Sequence, residues 1–168
     1  MGYGLIHVKG KKMELIQMGV LHLSKLGSHE LKLKRIFERT LQLVDEYKPD
    51  EFAVEAPFFG KNVQSMLKLG RAQGVAIASC LNHNIPFEEY APRRIKQSIT
   101  SNGNASKEQV AAMLQSLLKF DEMPKYLDAT DGLAVATTHF LQTKNGHLSQ
   151  SSKKGWASFI KENPSRLG

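Results

Sequence analysis

The sequence has almost no cysteine, and this scarcity limits the kinds of protein it can encode. Cys80 is the single cysteine in 168 residues, which excludes a disulfide framework and is typical of a reducing compartment. The sequence also lacks an apolar run of the ~20 residues that a membrane-spanning helix needs. The N-terminus shows no charged region followed by an apolar region, as a secretory signal would. We therefore expect a cytoplasmic protein with no membrane partner.

Acidic residues are fewer than basic ones, and this imbalance favours polyanionic partners. The chain has 23 Lys and Arg against 16 Asp and Glu, a formal net charge of +7. Nucleic acid is the first partner that such a surplus suggests, although many soluble domains are mildly basic without binding any polyanion. Proline and glycine number only 6 and 13, and 41% of the residues are hydrophobic, so the composition is that of one globular domain.

The order of the predicted elements indicates an α/β domain. Residues 3–8 and 13–23 are rich in β-formers and flank a Lys-Gly-Lys-Lys turn, which predicts a hairpin. Short strands are predicted at about 51–55 and 85–90, and helices at about 28–48, 62–82, 92–100, 106–118 and 127–142. Because strands alternate with helices after the hairpin, we expect a mixed β-sheet flanked by helices. Residues 1–143 would form this domain, and residues 144–168 a basic, flexible tail.

Three acidic residues stand at the ends of predicted elements. Glu55 closes a short strand, while Asp128 and Asp131 lie three residues apart at the start of a helix and share one face. Converging carboxylates can hold Mg²⁺, and two such ions can position a water for phosphodiester hydrolysis. The structural alternative is that Asp128 caps the helix with Asp131 as its capping-box partner, and that Glu55 is a solvated strand end. Spacing alone favours this alternative.

Basic and aromatic residues near these acids suggest a phosphate-binding surface. Phosphate contacts need cations from several elements, and an aromatic side chain in a loop can stack on bases or wedge between them. Each charge could instead be an ordinary solvated residue, and the aromatics could pack in the core. His139 follows Asp131 on roughly the same helix face, either as a core residue or as a support for the acids. The adjacent aromatics are Phe58 and Phe59, and the basic residues are Lys61, Lys68, Arg71, Arg93, Arg94, Lys96 and Lys107.

Several longer motifs occur in a fixed order along nearly the whole chain. They are GYGLI at 2–6, FAVEAPFFGKN at 52–62, LKLGRAQGVAI at 67–77, EYAPRRIKQ at 89–97, GNASKEQV at 103–110 and LDATDGLAVATTH at 127–139. In this order they are similar to the motifs of the RuvC family of Holliday-junction resolvases, from Met1 to about Thr143. Several long motifs in the right order are far more specific than any single pair of acids.

The resemblance implies an RNase H-like fold and a homodimer that binds a four-way DNA junction. It also implies a crossover junction endodeoxyribonuclease that nicks two opposed strands with two Mg²⁺ ions per active site, which Mn²⁺ can replace. Members of the family work in recombination and repair with a branch-migration motor complex of RuvA-type and RuvB-type proteins. These properties are expectations that come from the resemblance.

The resemblance also assigns roles to individual residues. Glu55, Asp128 and Asp131 match three of the four catalytic, metal-binding carboxylates of the family. Phe58 matches an aromatic residue that works at the junction, and the apolar half of the second helix matches the helix of the dimer interface. The positions that match DNA-contacting basic residues are Lys61, Arg93, Lys96 and Lys107.

One departure from the family pattern concerns the first strand. Family members begin with a central strand that ends in Asp-Pro-Gly, whose Asp is the fourth carboxylate, whereas this sequence opens at Met1 just after that motif. Either Met1 is an internal start and the natural protein carries the missing strand, which we favour, or the chain is produced this short. In the second case we expect a catalytically impaired junction-binding dimer. A third possibility is an RNase H-like nuclease that acts on another nucleic acid.

Overall fold

The computed structural model describes residues 1–57 and 62–144 of the chain. Within them, the strands and helices follow the predicted order. The predicted site residues Phe58 and Lys61, and the predicted tail beyond Lys144, lie outside the described residues. The elements are β1 (Gly2–Lys9), β2 (Lys12–Val20), α1 (His29–Tyr47), β3 (Phe52–Glu55), α2 (Val63–Leu81), β4 (Phe87–Tyr90), α3 (Pro92–Thr100), α4 (Lys107–Leu118) and α5 (Asp128–Lys144).

Local side-chain bonds set several of the helix ends. The hydroxyl of Ser28 accepts the N–H of Leu31 at the start of α1, as the sequence predicts. Ser106 and Gln109 form a capping box at the start of α4, where the Ser106 hydroxyl accepts the Gln109 N–H and the Gln109 side chain accepts the Ser106 N–H. The capping box fixes the backbone just before Lys107.

The strands form two small sheets instead of the one mixed sheet expected. β1 and β2 pair antiparallel with a bulge between Leu5 and Ile6, and β3 and β4 pair parallel with Glu55 opposite Tyr90. Strands join a sheet only through backbone hydrogen bonds to a neighbour. In the described part of the chain, no strand bonds β1 to β3, so the expectation of a single sheet is corrected. The α/β class with flanking helices agrees with the prediction.

Helix α5 joins the two sheets, since it packs against β1, β2 and β3 and also against α3 and α4. Its approach to β1 is unusually close. A Cβ added to Gly4 would lie 2.5 Å from the Cα of Leu133, and one added to Gly132 would lie 2.5 Å from the Cα of Tyr3. The backbones of α5 and β1 are therefore in direct contact, which fixes the start of α5 relative to the hairpin. The main buried cluster comprises Tyr90, Ile95, Ile99, Ala105, Val110, Leu114, Leu133, Ala134 and Val135.

A second layer packs α1 against α2. Ile36 and Ala76 are buried together with Leu21, and Val44 packs against Cys80. Burial raises the pKa of the Cys80 thiol to about 11, so this cysteine is an inert core residue. Among the described helices, none is both long enough and apolar enough to cross a membrane.

The contact between α5 and β1 predicts an unusual response to a Gly→Ala substitution. Helix propensity alone would make Gly132→Ala stabilising by about 1 kcal/mol, because Gly is a poor residue in a helix interior. We expect instead a loss of about 2 kcal/mol or more in the free energy of unfolding, because the methyl group would meet the Tyr3 backbone. Urea unfolding followed by circular dichroism measures this change.

Gly27→Ala provides the matched control for this prediction. A Cβ at Gly27 meets nothing within 4 Å, so the substitution should be neutral or stabilising by about 0.5 kcal/mol. If Gly132→Ala proves as stable as Gly27→Ala, the close contact between α5 and β1 is wrong.

Candidate active site

Five elements end or begin at the place where the candidate site is built. Glu55 is the last residue of β3 and lies opposite Tyr90, the last residue of β4. Because parallel strands end on the same side, α3 begins just beyond them, at Pro92, and brings Lys96 toward Glu55. Packing of α4 against α5 brings Lys107, the first residue of α4, onto Asp131. The site thus draws on residues that are far apart in the sequence.

Lys107 and Asp131 form the strongest charged contact of the site. The Lys107 Nζ donates to Asp131 Oδ2 at 2.5 Å, and their side chains are 56% and 38% exposed. The hydrogen bond to Asp131 raises the pKa of the Lys107 ammonium, and the negative charges of Asp131, Asp128 and Glu55 raise it further. One ammonium therefore lies within electrostatic reach of all three carboxylates that the sequence singled out.

Glu55, at the end of β3, belongs to the same cluster of charges. Partial loss of hydration raises the pKa of the Glu55 carboxyl, and the negative charge of Asp131 raises it further. The positive charges of Lys107 and Lys96 oppose this shift. The structure thus brings Glu55 and Asp131 close enough to repel each other, with two lysines balancing part of their charge.

Asp128 is the first residue of α5, not its N-cap. The backbone N–H of Asp131 donates to the carbonyl of Leu127 at 3.0 Å, so Leu127 takes the capping position. The capping-box alternative for Asp128 and Asp131 is therefore wrong. Asp128 is exposed and its charge acts on Lys107, whereas the carboxylate of Asp131 is bonded to Lys107.

The donor set fits a hard divalent cation in its chemistry. Carboxylate oxygens are the ligands that Mg²⁺ prefers, and a cation among them would relieve the repulsion between Glu55 and Asp131, which adds to the effect of burial on the pKa of Glu55. In residues 1–57 and 62–144, no three His, Cys, Asp or Glu side chains already lie close enough to hold a metal ion. A metal would therefore have to draw the carboxylates of Glu55, Asp128 and Asp131 together.

Of the other predicted DNA-binding residues, Lys96 acts on the carboxylate cluster and Arg93 lies at the start of α3. Lys96 is half-buried and acts on Glu55 through its charge. Arg93 is exposed at the start of α3 and packs against the loop at Gly103, where an added Cβ would lie 2.7 Å from the Arg93 Cγ. For Phe58 and Lys61, which follow Glu55 in the sequence, the roles remain predictions from the resemblance.

Gln73 is a supporting residue that the sequence analysis missed. Its Nε2 on α2 donates to the carboxylate of Glu89 at 2.7 Å and to the backbone carbonyl of Glu55 at 3.3 Å. The Gln73 amide therefore bridges the ends of β3 and β4 and ties both to α2. A glutamine in an amphipathic helix gives no sequence signal of such a contact.

His139 links α5 to both strands of the parallel pair. Its Nδ1 shares a hydrogen bond with the Tyr90 hydroxyl at 2.8 Å, and its Nε2 lies 2.6 Å from Glu51 Oε2 just before β3. Burial raises the pKa of Tyr90 to about 12, so the phenol stays a neutral hydrogen-bonding group. His139 thus ties α5 to the parallel strands, and a role as a support for the three acids stays a prediction.

Comparisons with known proteins identify the family. The model of the family described as Crossover junction endodeoxyribonuclease RuvC matches residues 1–139. The chain belongs to this family. It is 61% identical over 167 residues to the crossover junction endodeoxyribonuclease RuvC of Cytophaga hutchinsonii, covering 99% of this chain and 82% of that protein. It is 56% identical over 169 residues to that of Bacteroides fragilis, covering 99% and 89%.

Solved structures agree with the family and the fold. The RuvC structure of Thermus thermophilus has a TM-score of 0.77 at 30% identity, covering 86% of this chain and 89% of that chain. The Thermus thermophilus RuvC in complex with a Holliday junction substrate has a TM-score of 0.79 at 31% identity, covering 86% and 88%. The predicted resemblance, the RNase H-like α/β fold and membership of an endonuclease family are confirmed.

The charge cluster of this RuvC family member predicts opposite pKa changes for two substitutions. Lys107→Gln should raise the pKa of Glu55 further, and Asp131→Asn should lower it, because the first removes a positive neighbour and the second a negative one. Titration of the ¹³C carboxyl signals by NMR, with a chelator present, measures both. Lys119→Gln, at the other end of α4, serves as the control and should leave Glu55 unchanged.

The same shift sets the sign of a pH effect. The folded chain holds the Glu55 proton more tightly than the unfolded chain, so ionisation of Glu55 lowers the free energy of unfolding as pH rises from 4.5 toward the raised pKa. Glu55→Gln should remove this part of the pH dependence. Equal shifts of the Glu55 pKa in the Lys107→Gln and Lys119→Gln variants would contradict the cluster.

Proposed function

We propose that the protein is a structure-selective DNA endonuclease that resolves Holliday junctions by Mg²⁺-dependent hydrolysis of phosphodiester bonds in two opposed strands. The observation that carries the proposal is the convergence of the Glu55, Asp128 and Asp131 charges on the Lys107 ammonium. The Thermus thermophilus RuvC, which has the same fold, is known in complex with a Holliday junction substrate. A cluster of this charge beside lysines suits the cleavage of a polyanion.

Each carboxylate has a role in this proposal. Asp131 and Asp128 present oxygens from the first turns of α5, and Glu55 presents them from the end of β3. These carboxylates would hold Mg²⁺, which when bound would supply positive charge toward the phosphate oxygens and the attacking water. The close contact of α5 with β1, together with the Gln73 bond to the Glu55 carbonyl, fixes the backbone from which these ligands extend.

The basic residues would bind the phosphates that flank the cleaved bond. Lys96 and Lys107 adjoin the carboxylates, and Arg93 extends the positive surface along α3. Phe58 and Lys61 come soon after Glu55 in the sequence, and by the resemblance Phe58 works at the junction and Lys61 contacts DNA. These contacts neutralise phosphate charge, so junction affinity should fall steeply with salt concentration.

The exposed apolar side chains of α2 would form the interface of a homodimer. Val63 is 62% exposed, and Leu67, Leu69 and Leu81 are each 49% exposed on the same helix. A group of such residues on one element is typical of a protein-protein contact. A two-fold dimer would present two active sites, one for each of two opposed strands. The branch-migration motor complex of RuvA-type and RuvB-type proteins, in the cytoplasm, would be the further partner.

The second candidate function is junction binding without cleavage. The observation that favours it is the bond between the Lys107 Nζ and Asp131 Oδ2, because the ammonium occupies a carboxylate oxygen that a metal could use. Arg93 and Lys96 could bind junction phosphates without a metal.

Cleavage of a labelled four-way junction tests both functions. We would assay the 168-residue chain and a version extended at its N-terminus by a strand that ends in Asp-Pro-Gly. With Mg²⁺, the extended protein should nick opposed strands and leave 5′-phosphates, and chelation should abolish the nicking. Glu55→Gln should slow cleavage by a factor of about 100 or more, while gel-shift affinity for the junction stays close to that of the parent.

The possible results separate the candidate functions. If the extended protein leaves junctions intact and behaves like its Glu55→Gln variant, the nuclease assignment is wrong. Binding without products by the 168-residue chain supports the second function for that chain. Preferential cleavage of an RNA–DNA hybrid would favour a nuclease for another nucleic acid.

The proposed dimer has its own test. Leu67→Glu should convert the dimer to a monomer in sedimentation experiments, because it places a charge in the apolar interface. Leu117→Glu, on α4 and 42% exposed, is the matched control and should leave the dimer intact. A monomeric parent, or a Leu67→Glu variant that remains dimeric, would reject α2 as the interface.

A further inference from the structure

We propose that Lys107 is the resident cation of the carboxylate cluster, and that a divalent metal must displace its ammonium from Asp131. The displaced ammonium then becomes available to a DNA phosphate. Lys107 is in this view a positioning residue, because it holds Asp131 before the metal arrives. This inference rests on the proposed metal site and specifies how that site is filled.

The contact distance shows why metal and ammonium compete. The Lys107 Nζ lies 2.5 Å from Asp131 Oδ2, on one of the two carboxylate oxygens that a metal could use. A Mg²⁺ ion binds a carboxylate oxygen at about 2.0–2.1 Å. Two cations on one oxygen would lie within a few ångströms of each other and repel strongly. An ion that binds this oxygen therefore has to displace the ammonium.

The surrounding charges hold the ammonium where it is. Asp131, Asp128 and Glu55 all act favourably on it, from α5 and from the end of β3. The ammonium relieves part of the repulsion between Glu55 and Asp131, as a metal would. Lys96, which lies on α3, also offsets this repulsion, through the effect of its charge on Glu55. Removal of Lys107 and removal of Lys96 can therefore be compared for their effects on metal binding.

The side chain of Lys107 can move while its backbone stays fixed. The capping box of Ser106 and Gln109 anchors the backbone at the residue before Lys107. The side chain is 56% exposed, and a lysine has a long flexible stem that carries a compact charge. The ammonium can therefore leave Asp131 without any movement of α4.

The proposal predicts the direction in which metal affinity changes when Lys107 is removed, and the other possible roles of Lys107 predict a different result. A lysine that only contacts phosphate would leave metal affinity unchanged when DNA is absent. A lysine that only supports the fold would weaken metal binding when it is lost. A resident cation makes metal binding tighter when it is removed.

Mn²⁺ binding to the whole chain, without DNA, measures this change in affinity. Titration followed by the EPR signal of free Mn²⁺ should give a Kd about 5-fold to 20-fold lower for Lys107→Gln than for the parent. Lys96→Gln should show a smaller decrease, and Lys119→Gln, just beyond the end of α4, should show none. Lys107→Arg keeps the positive charge and should bind Mn²⁺ like the parent.

A second measurement needs no substitution in the protein observed. The ¹³Cε and ¹⁵Nζ signals of Lys107, assigned by comparison with Lys107→Arg, should shift when Mg²⁺ is added to the parent. The signals of Lys119 should stay in place. This experiment reports the displacement even if Lys107→Gln fails to fold, which circular dichroism would show.

Each result bears on the proposal. A folded Lys107→Gln variant that binds Mn²⁺ no more tightly than the parent, including no binding by either, overturns it. Lys107 signals that do not move when Mg²⁺ is added also overturn it, and so does Lys107→Arg binding as tightly as Lys107→Gln. Tighter Mn²⁺ binding without junction cleavage would uphold the role of Lys107 and reject the proposed nuclease. Cleavage with an unchanged Mn²⁺ affinity would do the reverse.

Discussion

Helix α5 lies so close to β1 that neither Gly4 nor Gly132 has room for a methyl group. This contact determines where the first turn of α5 points, and the first turn carries Asp128 and Asp131. The same helix packs against β3, whose last residue is Glu55, so the position of all three carboxylates follows from the placement of one helix. Side chains are absent from the contact at the two glycines, which leaves α5 little freedom to shift against β1.

The electrostatics of the site follow from that placement. Partial burial raises the pKa of Glu55, and repulsion from the nearby carboxylate of Asp131 raises it further. Lys107 from α4 and Lys96 from α3 offset part of the negative charge. The carboxylates therefore carry an excess of negative charge, which a divalent cation can neutralise better than an ammonium can. The lysines beside them remain available to bind a phosphate backbone.

Features with a local cause could be predicted from the sequence. Ser28, and Ser106 with Gln109, signal helix starts because their side chains bond to nearby backbone groups, and those starts are where the sequence places them. The pairing of strands into two sheets was not predicted, because it depends on which distant segments meet. The contacts of Gln73 and His139 were hidden for the same reason: their partners are 16 to 18 and 49 to 88 residues away. The positions of Asp128 and Asp131 were visible, but only the structure shows that the Asp131 carboxylate bonds to Lys107 instead of capping α5.

Geometry and charge are set by different groups in this site. The supports nearest to Glu55 are the uncharged amide of Gln73 and the backbone pairing with Tyr90, and they fix position without changing the charge balance. His139 joins α5 to the same strands, with its ring bonded to Tyr90 and Glu51. The charge balance depends on Lys107 at the start of α4 and Lys96 in the middle of α3, whose side chains are long and partly solvated. Such a division lets the cations rearrange when a metal or a phosphate arrives while the ligand-bearing backbone stays in place, and this is what a site that binds two charged partners requires.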